Sequence, residues 1–452
     1  MKNVSAFLKR HSALLLLVLV LATVPAGIAF GKYVKELNVT NGICVDVQMK
    51  EYRLEERMGM QLYIDLKVNG SNPYKNPDTF SICKHSELPD GVQPYKTSDG
   101  KYIDLKADDE SGSIYVYIDE NGSGYDIYIA PADSDAVIYA PANGQYMLSY
   151  QGNSIPDLGY RILDASNLDT SRCNDMNRLF YDMEQVESID MSGFDTSHVT
   201  DVNLMFFNCK KLRTINFGSG FKTGEVKNMN GMFSGCAVLS SIDISGFDTT
   251  NVTNMGSMFH SAEQLRSITF GDNFDTSAVT DMNNMFYSCK SLGNIDLSNF
   301  NTSNVTDMHD MFGYTNALSS IDLSRFDTSK VTSMEMMFYH TGVTSLDLSK
   351  FDTGNVTNMK SMFSWSQSLK TIYVSDKFVT DKVPADSSLF WENGALTGGS
   401  GTRFAWGKGG VQYARIDGGP DSETPGYFTD INGKSTQSAI GSIDASGISL
   451  VS

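Results

Sequence analysis

The chain has 452 residues, 41% apolar and 19% charged, which is too hydrophobic for a disordered polymer and long enough for two or three domains or one repeat array with flanking pieces. A net charge of -18 disfavours a nucleic-acid partner, because phosphate contacts need clustered Lys and Arg. The acidity instead suits an exposed, soluble surface.

Lys2, Lys9 and Arg10 precede an apolar run from Ala13 to Phe30 that closes on Ala26, Gly27 and Ala29, the layout of an export signal. The run is long for a signal and just long enough to span a bilayer, so residues 1–30 read as a cleaved signal or a retained anchor. That segment is the sole membrane contact expected, since the last residues, Gly447 to Ser452, carry neither an apolar tail nor a basic stop. The chain is therefore expected outside the cell, secreted or attached to its surface. Residues 31–160 read as a β-rich domain and entry cap, with strands at Tyr63–Leu66, Tyr102–Leu105, Ile114–Tyr117 and Tyr125–Ile129 between Gly, Asn and Asp turns. Cys44 and Cys83 lie here, and spacing alone does not say whether they pair.

From residue 161 to about 380 the sequence repeats. An apolar residue, usually followed by Asp or Asn, recurs every 25 to 27 residues at Leu168, Phe194, Phe221, Phe247, Phe274, Phe300, Phe326, Phe351 and Phe378. Val199 to Val356 march in step with it, as do the pairs from Met232/Phe233 to Met362/Phe363. Within one unit, Ile295-Asp296-Leu297-Ser298 alternates as a short strand, and Phe300 to Asn304 form a polar corner. Met308, Met311 and Phe312 then fall on one face of a short helical turn. A unit this small buries its apolar side only against its neighbours. The expected fold is thus an α/β repeat solenoid, leucine-rich-repeat-like, with short parallel strands plus short helical turns and an N-terminal β-rich domain. Residues 381–452 read as a C-terminal cap and tail. The end units are atypical: the first has Leu168 for Phe, and the last has Val383, Pro384 and Ala385 where a Met/Phe pair is expected.

The run Phe247-Asp248-Thr249, then Val252-Thr253-Asn254-Met255, then Met258-Phe259 resembles the BspA-like leucine-rich-repeat surface proteins of bacteria, in the variant described as a mycoplasma-type domain of unknown function. Tyr413-Ala414-Arg415-Ile416-Asp417 and Pro425-Gly426-Tyr427-Phe428-Thr429 resemble the segment that closes such arrays. The resemblance implies surface exposure and adhesion or contact with host proteins, without fixing a ligand.

Catalytic chemistry is not expected. The six histidines do not pair at metal spacing, no Gly-rich phosphate loop follows a strand, and neither a metal nor a cofactor is called for. Cys209, Cys236 and Cys289 share a column with small residues and read as core. Asn251, Asn304 and Asn355 are formal glycosylation acceptors, but they coincide with the repeat's turn. The candidate partner-binding residues are the aromatics that follow the Met/Phe pair: Phe207, His260, Tyr287, Tyr314, Tyr339, His340 and Trp365. They suit host or other cell-surface proteins, with glycans as the alternative. Two acidic ladders also run along the array. Asp190, Asp243, Asp296, Asp322 and Asp347 form one, and Asp195, Asp248, Asp275, Asp327 and Asp352 the other. Their mutual repulsion calls for hydrogen-bonded caps, raised pKa values or a cation; caps from Thr328 and Thr353 are expected on the second.

Overall fold

The computed structural model describes residues 78–96, 100–106, 112–120, 125–149 and 160–431, with the backbone of three short strands before them. The signal or anchor reading of 1–30, the strand expected at 63–66 and the Cys44 side chain fall outside the described residues. Five strands precede the repeats proper and are mostly short: β1 (Glu36–Thr40), β2 (Cys44–Gln48), β3 (Tyr52–Arg53), β4 (Thr79–Ile82) and β5 (Ile114–Glu120). After them come β6 (Tyr125–Pro131), β7 (Ile138–Tyr139), β8 (Ile162–Asp164), β9 (Leu168–Asp169), β10 (Ser188–Asp190) and β11 (Thr214–Asn216). The rest are β12 (Ser241–Ile244), β13 (Ser267–Phe270), β14 (Ser345–Asp347), β15 (Thr371–Val374) and β16 (Phe428–Asp430). Tyr102–Leu105 makes only isolated bridges, and Cys83 is a buried free thiol.

Repeat strands pair in parallel, one unit apart: Ile189 lies opposite Ile215, Ile242 opposite Ile268, and Leu346 opposite Ile372. The N-terminal strands join the same sheet, in the order β11-β10-β8-β4-β6-β5, with only β5 and β6 antiparallel. The entry piece thereby covers the open edge of the first unit, which a stack of short strands requires. The strand expected at Ile295–Ser298 does not form, and the sheet breaks between β13 and β14. A second row of parallel bridges carries the stacking through that break, from Asn143 and Asp175 by way of Asp281 and Asp307 to Asn358.

Helices are nearly absent among the described residues: two single turns, His85–Glu87 and Val411–Tyr413, are both 3-10. The helical turn expected at Met308, Met311 and Phe312 is a correction. The segment is instead a run of overlapping β-turns, shown well by the unit before it. There the N–H groups of Met285, Tyr287 and Cys289 donate three residues back, to Met282, Asn284 and Phe286. The intervening N–H groups of Asn284, Phe286 and Ser288 donate to His309, Met311 and Gly313 of the next unit. Asn284 (φ 54°) and Ser288 (φ 59°) lie in the left-handed region, and so do Asp310 and Tyr314 one unit on (both φ 56°). A left-handed residue every fourth position prevents a helix. It also turns alternate backbone donors outward, where the next unit accepts them.

The side chains that this backbone turns inward build one continuous core from Phe80 to Phe428. Its spine is a file of phenyl rings: Phe180, Phe206, Phe233, Phe259, Phe286, Phe312, Phe338, Phe363 and Phe390. Neighbouring rings stand 5.2 to 6.1 Å apart with planes within 18°. Phe390 corrects the expected ending, because the Met/Phe column resumes at Leu389-Phe390 beyond Val383-Pro384-Ala385. Beside the spine, the Cys209, Cys236 and Cys289 thiols are buried and donate to the carbonyls of Phe180, Phe206 and Phe259. Ser366 and Asn393 do the same for Phe338 and Phe363. The column therefore selects a small donor rather than a disulfide.

Candidate functional site

The acidic ladders are held by backbone donors. In the strand column, the N–H two residues on caps each carboxylate: Ser192 for Asp190, Ser245 for Asp243, Ser298 for Asp296, Ser324 for Asp322 and Ser349 for Asp347, at 2.9 to 3.1 Å. Hydrogen bonds from Ser245, Ser298 and Ser324 hold Asp243, Asp296 and Asp322 below the usual carboxylate range. The corner column is capped alike, by Ser197, Thr250, Ser277, Ser329 and Gly354. The neighbouring threonines, expected as the caps, do something else. The buried Thr302 hydroxyl donates to the Asp327 carbonyl and accepts from the Asp327 N–H, both at 2.9 Å, and Thr328 treats Asp352 the same way. These hydroxyls link unit to unit. The amides of Asn251, Asn304 and Asn355 are also committed between units, to the carbonyls of Gly224, Ser277 and Ser329. With the carboxylates capped, thermal melts in calcium and in chelator should coincide; a calcium-dependent rise of many degrees would show that an ion holds the ladders.

No cluster of metal-ligating side chains occurs among the described residues. His309 is occupied on both nitrogens, Nδ1 against the Asp307 carboxylate at 2.9 Å and Nε2 against the Asn284 amide at 2.8 Å. Its Asp307 hydrogen bond raises its pKa despite burial.

The predicted aromatic residues come together, with one gap. His260 stacks on Tyr287 (5.0 Å, 11°), Tyr287 meets Tyr314 edge-on (5.4 Å), and Tyr314 contacts both Tyr339 (5.2 Å) and His340 (5.0 Å). All five are half-buried, their inner edges on the units and their outer edges in solvent. Burial lowers the His260 pKa. Burial, then a hydrogen bond with Tyr314, pushes the Tyr339 phenol up to about 12. Phe207 sits apart, stacked on Tyr181 at 4.9 Å; Ser234 separates that pair from His260. Trp365 is 37% exposed, and its N–H donates to the Trp391 carbonyl of the next unit. Sequence reasoning missed Tyr146 and Tyr181 at one end of the row, and Trp391 (46% exposed) and Trp406 (67%) at the other. Trp391 had a legible signal, since it follows Leu389-Phe390 as Tyr287 follows Met285-Phe286.

Backbone strain accompanies the row. Tyr314 (φ 56°), His340 (φ 53°) and Trp365 (φ 61°) occupy left-handed positions that other units give to Gly235, Ser261 or Ser288. A bulky side chain there costs on the order of 1 kcal/mol. Gly313 makes room for the row: a Cβ at that position would lie 2.9 Å from the Tyr287 ring.

A strand-rich repeat array carrying an aromatic row on its surface is the class of protein that fold and site define. Residues 162–217, 174–272 and 265–378 match the family model described as "Mycoplasma protein of unknown function, DUF285", in agreement with a mycoplasma-type repeat domain. No curated protein and no solved structure matches the chain. Among the described residues no helix is long and apolar enough to cross a membrane.

Proposed function

We propose that the chain is a non-catalytic binding module of the bacterial cell exterior: a solenoid of the BspA-like, leucine-rich-repeat kind whose aromatic row grips proteins on another surface. The solenoid reading is supported by the parallel register of one unit per step and by the unbroken phenylalanine spine. The observation that carries the binding reading is the row from His260 to His340, continued by Trp365 and Trp391. Its aromatic rings sit half-exposed on a rigid support at left-handed positions that the stack itself fills with Gly or Ser. Rigid aromatic side chains lose little entropy on contact and are the commonest anchors of protein interfaces. An extended repeat surface also presents many anchors to one partner. The apolar run at 13–30 supports export.

The test uses beads coated with the full-length chain and laid on cultured epithelial cells. Retention should fall to background with the Tyr287→Ser, Tyr314→Ser, Tyr339→Ser, Trp365→Ser variant and after trypsin treatment of the cells, while glycosidase treatment leaves it intact. Loss after glycosidase but not after trypsin would replace the protein-binding reading with glycan binding. Retention of the four-site variant at wild-type level would defeat both.

A further inference from the structure

The aromatic row meets an unsatisfied carboxylate. Asp310 occupies a left-handed position in its unit, and its Oδ1 is buried with no hydrogen-bond donor. No ion pair among the described residues involves it, and its neighbour His309 is bound to Asp307 and Asn284. Asp310 lies against the row: a Cβ on Gly313 would fall 3.2 Å from its Oδ1 and 2.9 Å from the Tyr287 ring, so carboxylate and ring converge over that glycine. Burial, then Tyr314 and the Asp310 charge, raises the Tyr287 pKa, and the same charge is among the causes that raise Tyr339.

Five units earlier the molecule shows what such a place accepts. Arg178 stands in the turn position equivalent to Asp310, also left-handed (φ 56°), and its guanidinium lies 5.4 Å from the Tyr146 ring centre and 5.9 Å from that of Tyr181. At that end of the row the chain supplies its own cation. At Asp310 it supplies rings and a carboxylate and no cation.

We infer that the row between Tyr287 and His340 docks a cationic side chain of a protein partner, an Arg or Lys whose head meets Asp310 while its stem lies across Tyr287, Tyr314 and Tyr339. A buried carboxylate without a donor is costly, and an arriving cation removes the cost while gaining the attraction of the ring faces. Burial holds the Asp310 pKa up to about 6, with His309 opposing and Glu335 and Asp307 adding to the rise. The chain's net charge of -18 favours approach of a basic segment. The inference rests on the protein-binding reading and names the chemistry of its partner.

The probe is a fluorescent hepta-arginine peptide titrated into the full-length protein at physiological salt, followed by anisotropy. Asp310→Asn should weaken binding by about tenfold or more, whereas Asp243→Asn, which removes an equal charge from a Ser245-capped ladder position, should change it by about twofold or less. Folding is monitored by thermal melts, in which Asp310→Asn should be no less stable than wild type at pH 7.5, since it removes an unpaired buried charge. Equal weakening by the two variants, no effect of Asp310→Asn, or no binding by the wild type overturns the inference. None of these results touches the bead experiment, whose outcome decides the broader reading separately.

Discussion

Replacing Phe286 by Ala is expected to destabilise the array by about 3 to 5 kcal/mol. The ring is fully buried and stacked between Phe259 at 5.8 Å and Phe312 at 5.7 Å, both nearly coplanar with it. Its removal opens a cavity between units that backbone hydrogen bonds hold at fixed spacing, so the site collapses poorly. Phe259 N–H donates to Met285 and Phe286 N–H to Met311, which pins both sides of the gap. In a stack where each unit touches only its neighbours, the loss falls on two interfaces at once. Phe286→Leu, which refills most of the volume, should recover more than half of the deficit. Urea unfolding followed by circular dichroism measures both variants. An alanine variant with the wild-type midpoint would mean that the file of rings is not the spine of the fold.

A comparable effect is expected at the far cap, where Asp417→Ala should cost on the order of 3 to 5 kcal/mol. Asp417 is buried, and its two oxygens accept from the N–H groups of Ser400, Thr402, Gly419 and Gly426 and from the Thr402 hydroxyl. One carboxylate thus ties three loop segments around Tyr427 and β16, the strand that closes the array against β15. Alanine orphans those donors in a region where Thr402 is itself buried. Burial pushes the Asp417 pKa up, but the hydrogen bonds from Thr402, Gly419 and Gly426 outweigh it and leave the group below the usual carboxylate range. A carboxyl whose folded pKa is depressed contributes stability that is fully present above its unfolded pKa and is lost as pH falls through the folded one. Acid should therefore loosen this cap in the wild type, in the window below pH about 4. Asp417→Asn, unable to ionise, should lack that component. Hydrogen exchange of residues 398–430 at pH 7 and at pH 3 reads the effect directly. Identical protection in Asp417→Ala and wild type at neutral pH would show that the cap is held by its aromatic packing alone.

The repeat and its buried columns were legible because they depend on residue identity alone. Side chains recurring every 26 residues or so must occupy equivalent places in a stack, and Phe286, Met285 and Val279 are buried as that period requires. The small-residue column at Cys209, Cys236 and Cys289 was legible for the same reason. The position of the aromatic row followed from the Met/Phe pair it trails. Local conformation was not legible. Met308, Met311 and Phe312 fit a helix by spacing, yet a run of β-turns also brings positions i, i+3 and i+4 to one side. Only the hydrogen bonds from Asp310 and Phe312 to Glu335 and Met337 of the next unit favour the turns. Such bonds join residues about 25 apart and leave no trace in a local window. The aspartate ladders show the same division. Sequence identified the like charges that had to be relieved, but the three-dimensional turn decided that Ser245 and Ser298 backbone groups relieve them and freed the threonines to join units. Trp391 and Trp406 escaped notice because residues 379–388 interrupt the period before Leu389-Phe390. They enter the surface only when the chain folds back and places Phe390 on Phe363. Asp310 was one acid among many in the sequence. Burial beneath Tyr287, a property of stacked units and of no single segment, made it the carboxylate without a donor. Period and composition of the core are thus written along the chain, whereas backbone handedness, capping and unmet charge arise between units, where only the folded stack brings the groups together.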